Sequence, residues 1–261
     1  VTAHAAHALA KHAKPTLVLF GRSPHPTPEP EWLAGVYDEA AIKRAIFENE
    51  FGGNNASPMQ IEKAYKKHLA NREVTQNLEK MKQAGSTVHY YPVDVLDFHQ
   101  VKSILDDVRS SYGPVRGIIH GAGTLEDRLI IDKTMDQFEK VFDTKVKGLN
   151  ALLEATKHDT LKYLVIFSSV SARIGNYGQV DYAMANEVLN KVAQQESIRQ
   201  PDCKVISINW GPWDGGMVCS ALKQKFEKNG VDLIPLDYGA MSMVYEMMGD
   251  KSLPVEVVIG A

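Results

Sequence analysis

A small set of polar side chains in the second half of the chain has the types and spacing needed for proton transfer. Ser169 ends an apolar run that predicts a buried strand, and Tyr182 lies near the start of the helix predicted after the next loop. Asn186 follows Tyr182 by four residues, so both side chains share one face of that helix. A phenol, with an ordinary pKa of about 10, acts as an acid or base near neutral pH only if a nearby cation stabilises its phenolate. A lone tyrosine in a helix is more often a packing residue, so the interpretation depends on finding that cation.

The preceding predicted helix supplies a cation, Lys145, within the segment FDTKVKGLNALL. Lys147 is the rival, but the spacing to Tyr182 and the Lys-Val-x-Gly context favour Lys145 and leave Lys147 as an exposed residue. The order Lys145, Ser169, Tyr182, Asn186 resembles the ketoreductase domains of modular polyketide synthases and polyunsaturated fatty acid synthases, in the short-chain dehydrogenase/reductase superfamily. Ordinary members of that superfamily carry a lysine where this chain has Asn186. Synthase ketoreductases carry it on the earlier helix, where Lys145 matches it.

The resemblance implies a chemistry and a set of partners. It implies NADPH-dependent reduction of a 3-oxoacyl thioester held on an acyl carrier protein, within a synthase of several domains. Tyr182 is then the proton donor, and Ser169 holds the ketone oxygen. Lys145 lowers the pKa of Tyr182 and binds the nicotinamide ribose, and Asn186 orients Lys145 or a relay water. Two alternatives remain open: a free-standing reductase of a small ketone or CoA ester, and a catalytically silent dinucleotide-binding domain of a synthase.

The elements that must position these residues alternate between helix and strand. We predict a single α/β domain over residues 1–261, with a doubly wound, Rossmann-like parallel sheet. The helices are expected at 2–13, 38–51, 58–84, 97–112, about 134–157 and 236–249, and the strands at 16–20, 87–93, 115–120, 204–210 and 255–259. The Thr134-Met-Asp-Gln137 sequence predicts a capping box for the helix that carries Lys145.

Two regions depart from a minimal Rossmann reductase. The chain opens on a helix that, in related ketoreductases, follows a first strand and a glycine-rich phosphate loop. We therefore expect that strand and loop to belong to a preceding part of the parent protein, and NADPH to bind weakly without them. The stretch at about 24–75 is predicted to be a helical insertion, because a loop of that length without structure is uncommon.

Residues at the predicted strand ends form the expected cofactor site. Arg22 follows the first strand, where NAD-preferring proteins often carry an acidic residue, so it suits the 2′-phosphate of NADP; an arginine simply solvated in a turn is the alternative. Asp94 and Val95 match a pair that contacts adenine in the family, although an Asp after a strand is commonly a helix cap. His120 precedes a glycine-bearing turn and is not expected to act as a general base. The implied cofactor-binding residues are Arg22, Ser23, Asp94, Val95, Gly121, Ala122, Gly123, Lys145, Tyr182 and Pro212.

Substrate orientation is predicted from a family marker. The resemblance associates Leu-Asp-Asp after the glycine turn with a D-configured, (3R) product, and a tryptophan eight residues before the tyrosine with the opposite group. This chain has Leu125-Glu126-Asp127 and Ile174 at those positions, which favours the D product, although Glu126 and Asp127 could be solvated loop charges. We also expect Trp213 and Met217 to face the substrate, in a lid at about 213–230 that contains a helix at roughly 218–229.

Composition narrows the classes of protein further. A net charge of −3 gives no reason to expect nucleic acid or an anionic membrane as partner, and no apolar run approaches the roughly 20 residues needed to cross a bilayer. Cys203 and Cys219 form no disulfide framework, so we expect a cytoplasmic protein. His4, His7 and His12 lack the carboxylate or cysteine partners of a metal site.

Overall fold

The strands of the protein run parallel, and their carboxyl ends define one edge. The computed structural model describes residues 1–218 and 220–261. The strands are β1 (Thr16–Gly21), β2 (Thr87–Pro92), β3 (Gly117–His120), β4 (Tyr163–Ser169), β5 (Lys204–Trp210) and β6 (Glu256–Ile259). β1 pairs with β2, and the other four form a sheet in the order β3-β4-β5-β6. The predicted α/β, Rossmann-like class is confirmed.

At least one helix lies between each two strands that are consecutive in sequence. The helices are α1 (Thr2–Ala13), α2 (Glu39–Glu50), α3 (Pro58–Gln83), α4 (Phe98–Tyr112), α5 (Met135–Ala155), α6 (Ser171–Ile174), α7 (Val180–Arg199), α8 (Ser220–Lys228) and α9 (Leu236–Met248). The predicted capping box is present: the Thr134 hydroxyl accepts from the Gln137 amide, and the Gln137 side chain accepts from the Thr134 amide. The four-residue helix α6 lies where only a loop was expected, and β3 begins two residues later than predicted, at Gly117.

The core has two layers because alternate residues of a strand face opposite sides of the sheet. On one side, Leu164 and Ile166 of β4 pack with Leu149 of α5 and Leu189 of α7. On the other side, Val165 and Phe167 of β4 pack with residues of α1 and α9, including Ala5, Ala8, Met243 and Val244. The continuous apolar run of β4 is therefore that of a strand covered on both faces.

The segment at about 24–75 is helical, as the sequence predicts. It contains a 3₁₀ turn (Glu31–Leu33), α2 and the first part of α3, and it has a small core of its own centred on Leu33, Ile42 and Ile46. Asn71 of α3 holds the extended, proline-rich start of the segment by exchanging two hydrogen bonds with Thr27, of 2.8 and 2.9 Å. Local packing on α3 therefore orders this insertion.

Candidate active site

Three elements bring the four predicted catalytic side chains together at the carboxyl edge of β4. Ser169 is the last residue of that strand, Lys145 comes from α5, and Tyr182 and Asn186 come from α7. The Lys145 Nζ donates a hydrogen bond to the Phe167 carbonyl at 3.0 Å and lies 5.2 Å from the centre of the Tyr182 ring. The side chains of Ser169 and Asn186 lie close enough to the Tyr182 hydroxyl to influence its pKa. Lys145 and Asn186 are 41 residues apart in sequence, and the fold brings all four side chains into one cluster.

The Lys145 side chain is fully enclosed. Only 3% of the residue is exposed, and this burial lowers the pKa of its amine from 10.5 to about 7. Gly123 allows the loop after β3 to lie against it, because a Cβ at that position would be 3.2 Å from the Lys145 Cε. Lys147, the rival cation, is 68% exposed at its side chain and pairs with Asp143 at 2.6 Å, so it belongs to the outer face of α5.

His120 holds the helix of Lys145 in place. Its Nε2 donates to the Lys145 carbonyl at 2.9 Å, and the ring is buried. Burial and the nearby Lys145 charge lower the pKa of His120 to about 4, so the ring is neutral near pH 7. This geometry makes His120 a support of α5.

The pKa of Tyr182 corrects one expectation. We expected the Lys145 cation to lower it, but burial raises it above 10, with Asn186 and Ser169 partly opposing that increase by hydrogen bonding and the Asp127 charge adding to it. The physical reason is desolvation, because enclosing the hydroxyl disfavours the charged phenolate. The structure therefore holds Tyr182 as a protonated phenol.

The hydroxyl of Ser169 is oriented by a neighbour that the sequence did not suggest. Its Oγ accepts hydrogen bonds from the Ser171 amide at 3.2 Å and from the Ser171 hydroxyl at 3.0 Å. Both contacts use the Ser169 oxygen as an acceptor, so its own hydrogen is available to a group in front of it. Ser171 reaches this position because the unexpected helix α6 begins there.

Asn186 carries an unsatisfied acceptor inside the cluster. The residue is fully buried, and its Nδ2 donates to the Tyr182 carbonyl at 2.8 Å. Its Oδ1 is buried without a hydrogen-bond partner among the described residues. Because an unpaired buried polar atom is costly, this oxygen marks a place for a donor such as a water or the Lys145 amine.

The predicted stereocontrol residues lie on the loop before α5. The Asp127 carboxylate accepts from the Gln179 Nε2 at 3.0 and 3.1 Å, and the residue is exposed, so it is a loop charge in contact with solvent that also holds Gln179. Glu126 forms an ion pair with Lys140 near the surface, and Leu125 is half-buried. Gln179 directly precedes α7, which links this loop to the helix of Tyr182.

The expected cofactor residues follow the ends of successive strands. Arg22 is exposed after β1, and the Ser23 carbonyl accepts from the Tyr90 hydroxyl at 2.6 Å. Asp94 accepts from the Leu96 amide at 3.0 Å, whereas the cap of α4 is Asp97, so the alternative of Asp94 as a helix cap is wrong.

The remaining cofactor positions line the same edge. Val95 packs on Gly148 of α5, where a Cβ would lie 2.8 Å from the Val95 Cγ2. Gly121 and Ala122 follow β3 together with Gly123, and Pro212 follows β5, where its carbonyl accepts from the Ile234 amide at 2.8 Å. Ligands of parallel α/β sheets bind at this edge.

The two residues expected to face the substrate from the lid, Trp213 and Met217, differ in their exposure. Trp213 is 5% exposed and packs edge-on against Trp210 at 4.7 Å between ring centres, so its ring lies in the core. Met217 is 45% exposed, and its Cε would lie 3.5 Å from a Cβ at Gly123, which places it beside Lys145. Of the predicted lid, α8 is helical, whereas Cys219 lies outside the described residues.

Sequence reasoning missed a buried ion pair beside the site. The Lys133 Nζ lies 2.6 Å from the Asp181 Oδ2, and these side chains are 3% and 2% exposed. Asp181 adjoins Tyr182 at a helix start, a common position for an acidic residue. Nothing local in the sequence distinguishes Lys133 from a surface lysine.

Other kinds of site are not found among residues 1–218 and 220–261. These residues contain no cluster of three or more histidine, cysteine or carboxylate side chains arranged for a metal ion. None of their helices combines the length and apolar character that a membrane crossing requires.

Fold and site together define a Rossmann-like reductase of the short-chain dehydrogenase/reductase superfamily. The family model described as "KR domain" matches residues 1–215, and the chain belongs to that family, the ketoreductase domains of modular synthases. The resemblance seen in the sequence is thereby confirmed.

Individual relatives agree with this family. A polyunsaturated fatty acid synthase polypeptide of Thraustochytrium sp. is 38% identical over 252 residues, covering 93% of this chain and 9% of that protein. Polyketide synthase PksN of Bacillus subtilis is 34% identical over 152 residues, covering 56% of this chain and 3% of that protein. The chain therefore spans less than a tenth of either of these curated relatives.

Solved structures show the same fold over nearly the whole chain. An N-terminal ketoreductase from the macrolactin assembly line has a TM-score of 0.71 at 26% identity, covering 98% of this chain and 41% of its own. A ketoreductase domain from the bacillaene assembly line has a TM-score of 0.70 at 28% identity, covering 99% of this chain and 52% of its own.

Proposed function

We propose that the chain is an NADPH-dependent ketoreductase. It reduces the β-keto group of a 3-oxoacyl thioester, carried on an acyl carrier protein, to the 3-hydroxyacyl thioester during polyketide or fatty acid synthesis. The observation that carries the proposal is the convergence of Lys145, Ser169, Tyr182 and Asn186 at the carboxyl edge of β4. Membership of the KR domain family and the similarity to a polyunsaturated fatty acid synthase support it.

The residues at this edge fit a nicotinamide dinucleotide. Asn186 offers a buried acceptor with no partner among the described residues, Gly123 brings the backbone of the loop after β3 against Lys145, and Arg22 is exposed at the end of β1. When bound, such a cofactor supplies hydride to the ketone carbon. Arg22 would pair with a 2′-phosphate, which NADPH carries and NADH lacks.

Tyr182 protonates the oxygen of the reduced ketone in this proposal. Burial raises the pKa of its hydroxyl, which keeps the phenol protonated and able to donate near neutral pH. After the transfer, the phenolate is stabilised by the hydrogen-bonding group of Asn186, which already opposes this increase, while the single Ser169 hydrogen is directed at the substrate oxygen. The proton balance closes when a proton from solvent reaches Tyr182 through Lys145.

Ser169 stabilises the negative charge as it develops on the ketone oxygen. Its Oγ already accepts two hydrogen bonds from Ser171, so its hydrogen can point toward the substrate. A donor held in place before the reaction stabilises the transition state without having to reorganise.

Lys145 and Asn186 restore the proton of Tyr182. An amine with a pKa of about 7 is present in both protonation states near neutral pH, so Lys145 can give and regain a proton. The buried Asn186 Oδ1 accepts from the Lys145 amine or from a relay water beside Tyr182. Lys145 would also bind the nicotinamide ribose.

The test is an assay of NADPH oxidation with a 3-oxoacyl thioester, using purified protein that contains this chain. We expect saturable oxidation that needs the thioester, together with a 3-hydroxyacyl product identified by mass spectrometry. Binding of NADPH without turnover of carrier-bound or free thioesters would show the silent domain instead. Preference for a small free ketone over the carrier-bound thioester would show the free-standing reductase.

A further inference from the structure

The Lys133–Asp181 ion pair is the feature that the proposed reaction leaves unexplained. The two side chains are almost completely buried and lie 2.6 Å apart, although 48 residues separate them in sequence. Burying two charges carries a desolvation cost, which is recovered only when further hydrogen bonds complete the arrangement. The role of the pair therefore depends on what else its two members contact.

Both members make a second contact, and together they form a chain of hydrogen bonds. The Lys133 Nζ also donates to the Glu126 carbonyl at 2.6 Å. The Asp181 Oδ1 accepts from the Tyr182 amide at 2.9 Å. A single ammonium thus connects the segment 125–127, predicted to govern stereochemistry, with the residue that donates the proton.

Two other hydrogen-bonded links join the same pieces of chain. The Arg128 amide donates to the Gly178 carbonyl at 3.0 Å, and Asp127 accepts from Gln179. Neither link joins two charges. The Lys133 contact differs because its loss would leave the Asp181 carboxylate buried without a counter-ion, directly before Tyr182.

We propose that Lys133 is a positioning residue that sets Tyr182 and the 125–127 segment in one relative arrangement, so that the ketone is presented to hydride on a single face. This inference rests on the proposed ketoreductase function. Lys133 acts through Glu126 and Asp181 and does not itself contact the reacting atoms. Its loss therefore affects turnover and product handedness more than cofactor binding.

The central experiment compares wild type with Lys133→Met, using a 3-oxoacyl thioester. We expect kcat to fall about 10- to 100-fold, the size of loss that a small misplacement of reacting groups causes. We also expect the fraction of the minor enantiomer, measured by chiral chromatography, to rise while NADPH affinity stays the same. A smaller folded fraction would lower the rate but would leave the enantiomer ratio unchanged. An unchanged enantiomer ratio overturns the proposal, whether or not kcat falls.

Two further variants separate positioning from charge burial. Lys140→Met removes a surface lysine that pairs with the same Glu126, and it should keep the wild-type enantiomer ratio. Lys133→Met combined with Asp181→Asn removes both charges, and the amide oxygen can still accept from the Tyr182 amide. We expect this double variant to regain thermal stability relative to Lys133→Met but not stereoselectivity. Recovery of both properties would show that only the unpaired charge mattered, and it would overturn the positioning role.

Failure of the proposed function is distinguishable from failure of this inference. An inactive wild type contradicts the ketoreductase proposal alone. Hydrogen exchange then tests the bridge without any substrate. Amides of 125–128 and 178–182 should exchange faster in Lys133→Met than in wild type and Lys140→Met. Equal exchange rates in all three proteins would show that Lys133 does not hold these two segments together.

Discussion

Replacing Lys145 with methionine tests the most unusual electrostatic feature of the site. Burial lowers the pKa of the Lys145 amine to about 7, while the unfolded chain keeps the ordinary value of 10.5. Between those two values the unfolded state binds more protons than the folded state, so the free energy of unfolding rises with pH. At 1.36 kcal/mol per pH unit, the free energy of unfolding rises by about 5 kcal/mol between these two pKa values. Below pH 7 both states are protonated, and the folded protein bears the full cost of the buried charge.

The assay is urea unfolding of cofactor-free wild type and Lys145→Met from pH 6 to 9.5. Methionine fills a similar volume without a charge, so it should stabilise the protein most at pH 6. The difference in free energy of unfolding between Lys145→Met and wild type should shrink by roughly 3 kcal/mol from pH 6 to pH 9.5. Lys147→Met is the matched control, because that lysine is exposed on the same helix and its loss should give a pH-independent difference. Parallel curves for wild type and Lys145→Met would refute the depressed pKa.

The remaining predictions concern the proposed chemistry. Tyr182→Phe removes the proton donor, and steady-state assays should show turnover about 10²- to 10⁴-fold lower with NADPH affinity nearly unchanged; full activity would eliminate the mechanism. Arg22→Ala should weaken NADPH binding, measured by fluorescence titration, much more than NADH binding, and equal losses would place Arg22 away from the 2′-phosphate. Chiral chromatography should show mainly the D-configured alcohol from a simple 3-oxoacyl thioester, and a mainly L-configured product would refute the assignment made from Leu125, Glu126 and Asp127.

Much of the scaffold was predictable because its signals are local. The helix at 2–13 and the strand at 204–210 have the bounds expected from apolar patterning. Thr134 and Gln137 form the capping box that starts α5, because a cap needs only residues three apart. The grouping of Lys145, Ser169, Tyr182 and Asn186 was predicted from their order along the chain, which resembles that of synthase ketoreductases.

Tertiary packing decided the properties that depend on burial. The lowered pKa of Lys145 and the raised pKa of Tyr182 come from desolvation by residues distant in sequence, and the same packing places Trp213 in the core. Lys133 could not be separated from a surface lysine until the fold enclosed it beside Asp181. Apolar periodicity and capping are set by neighbours along the chain, so the sequence alone determined the long helices and most of the strands, but not α6 or the start of β3. Desolvation and charge pairing depend on which elements pack together, so only the tertiary structure decided the electrostatics of the site.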